Sequence, residues 1–260
     1  MVFHLIIANF AMSATRKMKK LLAIVTVLTA HVCSSQPFVD AQHFHSFTAN
    51  NDSSFRYFML FLNAFDATEA ERNFWCEKAS ERIGDYYLSK SDYVKAIAYF
   101  DSADTKYRDK SQFCGNAHYI DFIPRRVKVS KCYRELNDLT KAISTLTPHI
   151  FGYFGSSYFD STNTTYYISL LTSLYTIDEI KHTLNKAIDN IDYTTFYRWS
   201  RDSTLKYLNV SSKLKIFGSE IELRGIETSE ENGKIPNYAT KEFSILILKQ
   251  MPIYNRLKQL

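Results

Sequence analysis

At 260 residues, with 45% hydrophobic and 23% charged side chains, the chain can bury a core as one large or two small domains, and its composition excludes disorder as the ground state. Seven Gly and five Pro are few for a loop-rich β protein, while 18 Tyr and 19 Phe suit interlocked helix surfaces. The formal charge of +5 is concentrated at the start: residues 1–35 hold four basic side chains and no acidic ones, leaving 28 basic against 27 acidic beyond them. A nucleic-acid-binding class therefore loses its electrostatic footing.

Arg16, Lys17, Lys19 and Lys20 precede an almost wholly apolar run, Leu21 to Ala30, and Ser34, Ser35 and Gln36 follow. That order is the basic, apolar and polar succession of a secretory signal, and the run is too short for a membrane span, which needs roughly 20 residues. Met18 opens a normal-looking signal, which makes Met1 to Lys17 an over-extended start. Lipidation at Cys33 requires a small residue before it, where Val32 stands, so cleavage near Ser35–Gln36 is expected instead. The mature part keeps Cys76, Cys114 and Cys132, an odd number that implies no disulfide framework.

Residues 37–54 are polar and irregular and read as a linker; Phe55 to Phe65 is apolar and aromatic. Asp66 with Glu69 is a capping-box pair, predicting a helix from Ala67 to about Ser89 with Phe74, Ala79, Ile83 and Tyr87 on its inner face. Ser91–Asp92 breaks and recaps the chain into a second helix, Tyr93 to about Lys106, with Ala96, Ile97, Phe100 and Ala103 on one face. The pattern then returns 46 residues later: Asp92, Lys95, Ala96 and Ile97 reappear as Asp138, Lys141, Ala142 and Ile143, with Val129, Ser130, Tyr133, Leu139 and Leu146 at matching offsets. Ser130 stands where the first copy has Gly84, and His149 where it has Ala103. The extra length between Asp109 and Pro124 is expected as a lengthened loop. Tyr166 to Tyr175, then a helix capped by Thr176 with Glu179 and running to about Ile191, form a third, degenerate pair.

Ile83–Gly84, Tyr87, Tyr93, Ala96, Phe100 and Ala103 together resemble the tetratricopeptide repeat, whose standard period is about 34 residues. Small residues sit where two helices approach closely, and aromatic ones fill the wider gaps. The resemblance covers roughly residues 70–192 and implies stacked helix hairpins that bind a protein or peptide partner. In that family the first helix of each pair lines the concave surface. Carried onto this chain, Lys78, Glu81, Asp85 and Leu88 of the first copy and Val127, Lys131 and Arg134 of the second would line it.

Beyond Asn190 the helical period fades into short segments rich in aromatic and branched residues: Thr194–Trp199, Leu205–Val210 and Leu214–Phe217. Gly218–Ser219 is expected as a two-residue type II′ hairpin turn. Residues 227–239 read as an exposed loop. Thr240 can cap a last helix with Phe243, Leu246, Ile247 and Met251 on one face, although the run at 243–248 suits a strand equally.

No catalytic site, cofactor or metal site emerges from the pattern. His43 and His45 lack further ligands at zinc spacing, and Cys114 with His118 lacks a third member. Residues 193–260 contain no His or Cys from which to build a nucleophile–base pair. Glu69, Glu71, Glu77, Glu81 and Asp85 along one helix read as a solvated face, and Arg125, Arg126, Lys128 and Lys131 as a basic start to the second repeat, mostly solvated, with two of them able to meet an acidic partner.

The expected protein is thus mainly α, with two to three tetratricopeptide-like hairpins and a small C-terminal α/β appendage: signal peptide 1–35, linker and N-terminal segment 36–65, repeats 66–192, α/β region 193–260. It is expected as an exported, periplasmic or secreted, non-enzymatic scaffold for a protein partner, with no membrane span in the mature chain. The alternative is an envelope structural component that self-associates through its repeats as a homo-oligomer.

Overall fold

The computed structural model describes residues 52–64, 70–107, 115–152, 159–199, 206–224, 228–229 and 241–260. The signal segment, the Asp66–Glu69 cap, His43, His45, Cys114 and Thr240 lie outside them. The chain is mainly helical with a small antiparallel sheet near its C-terminus, as expected, and it divides into two compact units, Met1–Asp109 and Lys110–Leu260.

The first unit holds α1 (Asp52–Ala64), α2 (Ala70–Ser89) and α3 (Tyr93–Thr105). From Asp52 onward the expected linker is a helix, because Ser54, Phe58 and Phe61 fall on one stripe that α1 buries against α2. Phe58, Phe61, Cys76, Ala79, Ile83 and Tyr107 form the core. Phe55 stacks on Tyr86 at 4.1 Å, and the Tyr86 hydroxyl donates to Asp52 at 3.0 Å, tying α1 to the end of α2. The expected small-against-aromatic fit is present: Gly84, Ala96, Phe100 and Ala103 are buried, and Tyr87 and Tyr93 are half-buried.

The second unit begins with α4 (Gly115–Glu135) and α5 (Leu139–Ile150). The stretch expected as a loop up to Pro124 is helical from Gly115, and Pro124 lies exposed inside α4. An interior proline costs a helix roughly 3 kcal/mol, which is why it read as a boundary. Next come α6 (Ser161–Leu174) and α7 (Ile177–Asp189). The start of α6 precedes the expected one by five residues, since the Asp160 carboxylate accepts from Asn163 N at 2.6 Å. The Thr176–Glu179 capping box on α7 is present as expected. Yet α6 and α7 are joined by two extended residues, Tyr175 (φ −126°, ψ 146°) and Thr176 (φ −69°, ψ 160°). They do not fold tightly on each other: α6 packs chiefly on α5, and α7 on the sheet and the last helix.

The sheet consists of β1 (Asp192–Trp199), β2 (Lys206–Ile216), β3 (Ser219–Arg224) and β4 (Thr228–Ser229), all antiparallel, with β2 central. The β2–β3 turn sits one residue earlier than expected. Phe217 (φ 45°) and Gly218 (φ 78°) are its loop, both left-handed as in a type I′ turn, and Ser219 is already paired with Ile216. This register sets Lys213 opposite Glu222 and Lys215 opposite Glu220; a loop at 218–219 would have set Lys213 against Arg224. It also sends Phe217 inward against Tyr175 and Phe151, at 5.7 and 6.4 Å between ring centres.

Residues 241–250 are helix, α8 (Lys241–Gln250), followed by α9 (Pro252–Lys258), which the sequence did not announce. Of the face expected to turn inward, Met251 is buried and Ile247 packs partly buried on the same core, whereas Leu246 is half exposed and Ser244 and Leu248 are buried in its stead. The buried Ser244 and Ser212 hydroxyls hydrogen-bond, fixing α8 to β2. One core joins α5, α6 and α7 to the sheet and α9, through Leu146, Tyr167, Leu171, Leu184, Leu214, Ile221 and Leu257. Compactness divides the chain between 109 and 110, and residues 193–260 pack into one core with the helices that precede them.

Candidate functional site

The two hairpins, one in each unit, share a turn device built from the same residue types. Ser91 and Asn137 each take φ 59°, turning the chain back after the first helix. The N–H of Asp92 donates to Tyr87 O and that of Asp138 to Tyr133 O, both at 2.9 Å. Each Asp then caps the second helix, Asp92 accepting from Lys95 N at 3.3 Å and Asp138 from Lys141 N at 3.0 Å. The same lysines return their ammonium groups to the same carboxylates at 2.7 and 3.0 Å, over the rings of Tyr87 and Tyr133. The side-chain bond from Lys95 lowers the Asp92 carboxyl below its ordinary range, and the backbone bond from Lys141 does the same for Asp138.

Beneath the turns the copies differ in a compensated way. A Cβ on Gly84 would stand 2.7 Å from the Phe100 ring. In the second copy Ser130 takes the Gly84 place and the smaller Leu146 that of Phe100. The Ser130 hydroxyl donates to Ala142 O at 2.8 Å, so the added polar atom is satisfied where it is buried. His149, at the place of Ala103, is half-buried and edge-on to Phe122 at 4.9 Å.

The groove residues expected from helical phase divide into three groups. On α2, Lys78, Glu81, Asp85 and Leu88 are half-buried; Arg82 reaches Asp85 at 3.7 Å, and Lys78 and Glu81 also have partners. Val127 is only 4% exposed and belongs to the core, so it offers packing and no contact surface. Lys131 and Arg134 are exposed on α4 and flank Tyr166 of α6, 5.6 and 5.4 Å from its ring centre. Burial raises the Tyr166 phenol, and its oxygen lies 3.3 Å from that of Ser130. Arg134 binds Glu135 at 3.1 and 2.6 Å through two nitrogens. From the sequence Tyr166 marks only an expected helix start; its place beside the basic pair depends on how α6 packs, which spacing does not encode.

The basic cluster does not open α4 as expected. Arg125 lies ten residues in and is fully buried, Arg126 and Lys128 are half-buried, and only Lys131 is exposed. The carboxylate face is likewise interrupted, since Glu77 is buried. Cys76 and Cys132 are buried, and burial pushes the Cys132 thiol up to about 11. Among the described residues no three His, Cys, Asp or Glu side chains group to hold a metal ion, and no helix is long and apolar enough to cross a membrane.

No family model, curated protein or solved structure matches the chain.

Proposed function

We propose that the chain is an exported, non-catalytic scaffold whose tetratricopeptide-like hairpins bind another protein. The observation that carries this reading is the duplicated turn device of Asp92–Lys95 and Asp138–Lys141. It rigidifies each hairpin while the first helix of the second keeps Lys131 and Arg134 exposed beside Tyr166. Two cations over one ring are a surface for acidic side chains, because the charge is held in place by the aromatic face. Export rests on the basic block and apolar run of residues 16–30, with cleavage near Gln36.

The test is affinity capture from an envelope fraction using the mature chain and its Lys131→Glu/Arg134→Glu variant. A partner retained by the first and lost by the second is expected. Equal capture by both removes the α4 surface from the proposal, and a stable homo-oligomer in light scattering that this variant dissociates replaces it with self-association.

A further inference from the structure

Antiparallel ladders alternate in the direction their backbone groups point, and β2 runs further than the strand beside it. Ile216 and Ser219 flank a two-residue loop, so the N–H and C=O of Ile216 and Leu214 point to β3 and those of Lys213 and Lys215 to the β1 side. β1 starts at Asp192, opposite Lys213. The place opposite Lys215 falls to Asn190, but Asn190 is the C-cap of α7, its N–H and Nδ2 both donating to Lys186 O at 3.1 and 2.8 Å. The cap draws the chain away from the ladder, and among the described residues no strand takes its place. A cleft of about 700 Å³ occupies that position, with α7 as one wall and the β2–β3 hairpin as the other.

Three lysines, Lys186, Lys213 and Lys215, line this cleft with Asp192 and Glu220. Lys213 is held by Glu220 at 3.5 Å, while among the described residues Lys186 and Lys215 have no acidic partner. We propose that this notch takes a short extended peptide segment that pairs with the open edge of β2 at Lys215 and places an acidic side chain between Lys186 and Lys215. Edge pairing supplies affinity through main-chain bonds and the two ammonium groups supply the preference for a carboxylate. This site is separate from the α4 surface.

The probe is a fluorescent, end-blocked hexapeptide alternating Glu with Val, titrated into the mature protein by polarisation. Saturable, salt-weakened binding is expected, at least tenfold weaker for Lys186→Gln/Lys215→Gln and for a Lys–Val hexapeptide. The same Glu–Val sequence N-methylated at alternate amides keeps its charge and loses its donors, and it is expected not to bind. Lys131→Glu/Arg134→Glu is expected to bind the probe normally, so failure of either site leaves the other distinguishable. Undetectable binding of the probe, equal binding by the Gln variant, or equal binding of the methylated peptide overturns the proposal, the last reducing the cleft to a site of non-specific charge attraction.

Discussion

A methyl group at position 84 would meet two atoms of the Phe100 ring at 2.7 Å, closer than side chains tolerate. Gly84→Ala should therefore cost about 1–3 kcal/mol, despite the usual gain from replacing helical glycine. Phe100→Leu alone should also destabilise, by leaving a cavity. The double variant reproduces the size relation that Ser130 and Leu146 already show, so its loss should fall at least about 1 kcal/mol short of the sum, within the range of coupled neighbours. Urea melts of the four proteins check this, and strict additivity would refute the compensation. Cys132 supports a second expectation. Burial lets the folded thiol hold its proton to about 11, against about 9 for an ordinary thiol, so its contribution is intact below pH 9 and lost as pH rises toward 11. Stability should fall by on the order of 1–2 kcal/mol more across that window than in Cys132→Ala. Small-against-large spacing made Gly84 legible in the sequence, whereas the burial of Arg125 was not, since a fully buried arginine runs against the rule that charged side chains stay at the surface.

At the scale of elements, turns explain which expectations held. Each repeat hairpin is closed by a left-handed residue and an Asp cap, both readable as Ser91–Asp92 and Asn137–Asp138. Asp92→Ala and Asp138→Ala should each cost about 1 kcal/mol through loss of the cap, and Ser91→Gly should stabilise by a few tenths to about 1 kcal/mol by relieving the positive φ. Thermal melts give the signs; an Asp92→Ala protein as stable as the parent would mean that the cap contributes nothing. The third pair has a capping box on its second helix but two extended residues before it, so the capping motif predicted a helix start and said nothing about the direction of approach. In the β2–β3 turn, glycine identified the bend but not its register. The burial of Phe217 against Phe151 and Tyr175 settled that, and those partners are distant in sequence.

Across the whole chain, repeat spacing and core membership obey different rules. The offset of 46 residues identifies two hairpins of common pattern, yet the first is closed over by α1 and the second by the sheet and the last helices. Periodicity reports which face of an element is apolar and is silent on what covers it. The second hairpin should then depend on residues far along the chain. Leu257 of α9 is fully buried in the core that contains Leu146 and Ile143 of α5. α9 is also fastened by Arg256 to Thr165 of α6 at 2.9 Å and by Lys258 to Asn185 of α7 at 2.7 Å. Leu257→Ala should destabilise the second unit by about 2–5 kcal/mol and accelerate globally limited amide exchange in α4 and α5, more than 100 residues upstream. Amides of α2 and α3, whose core contains none of these residues, should keep their protection. If exchange instead accelerates equally in α2 and α3, the two cores are one cooperative unit; if it spares α4 and α5, the second hairpin is stable without the C-terminal elements that cover it.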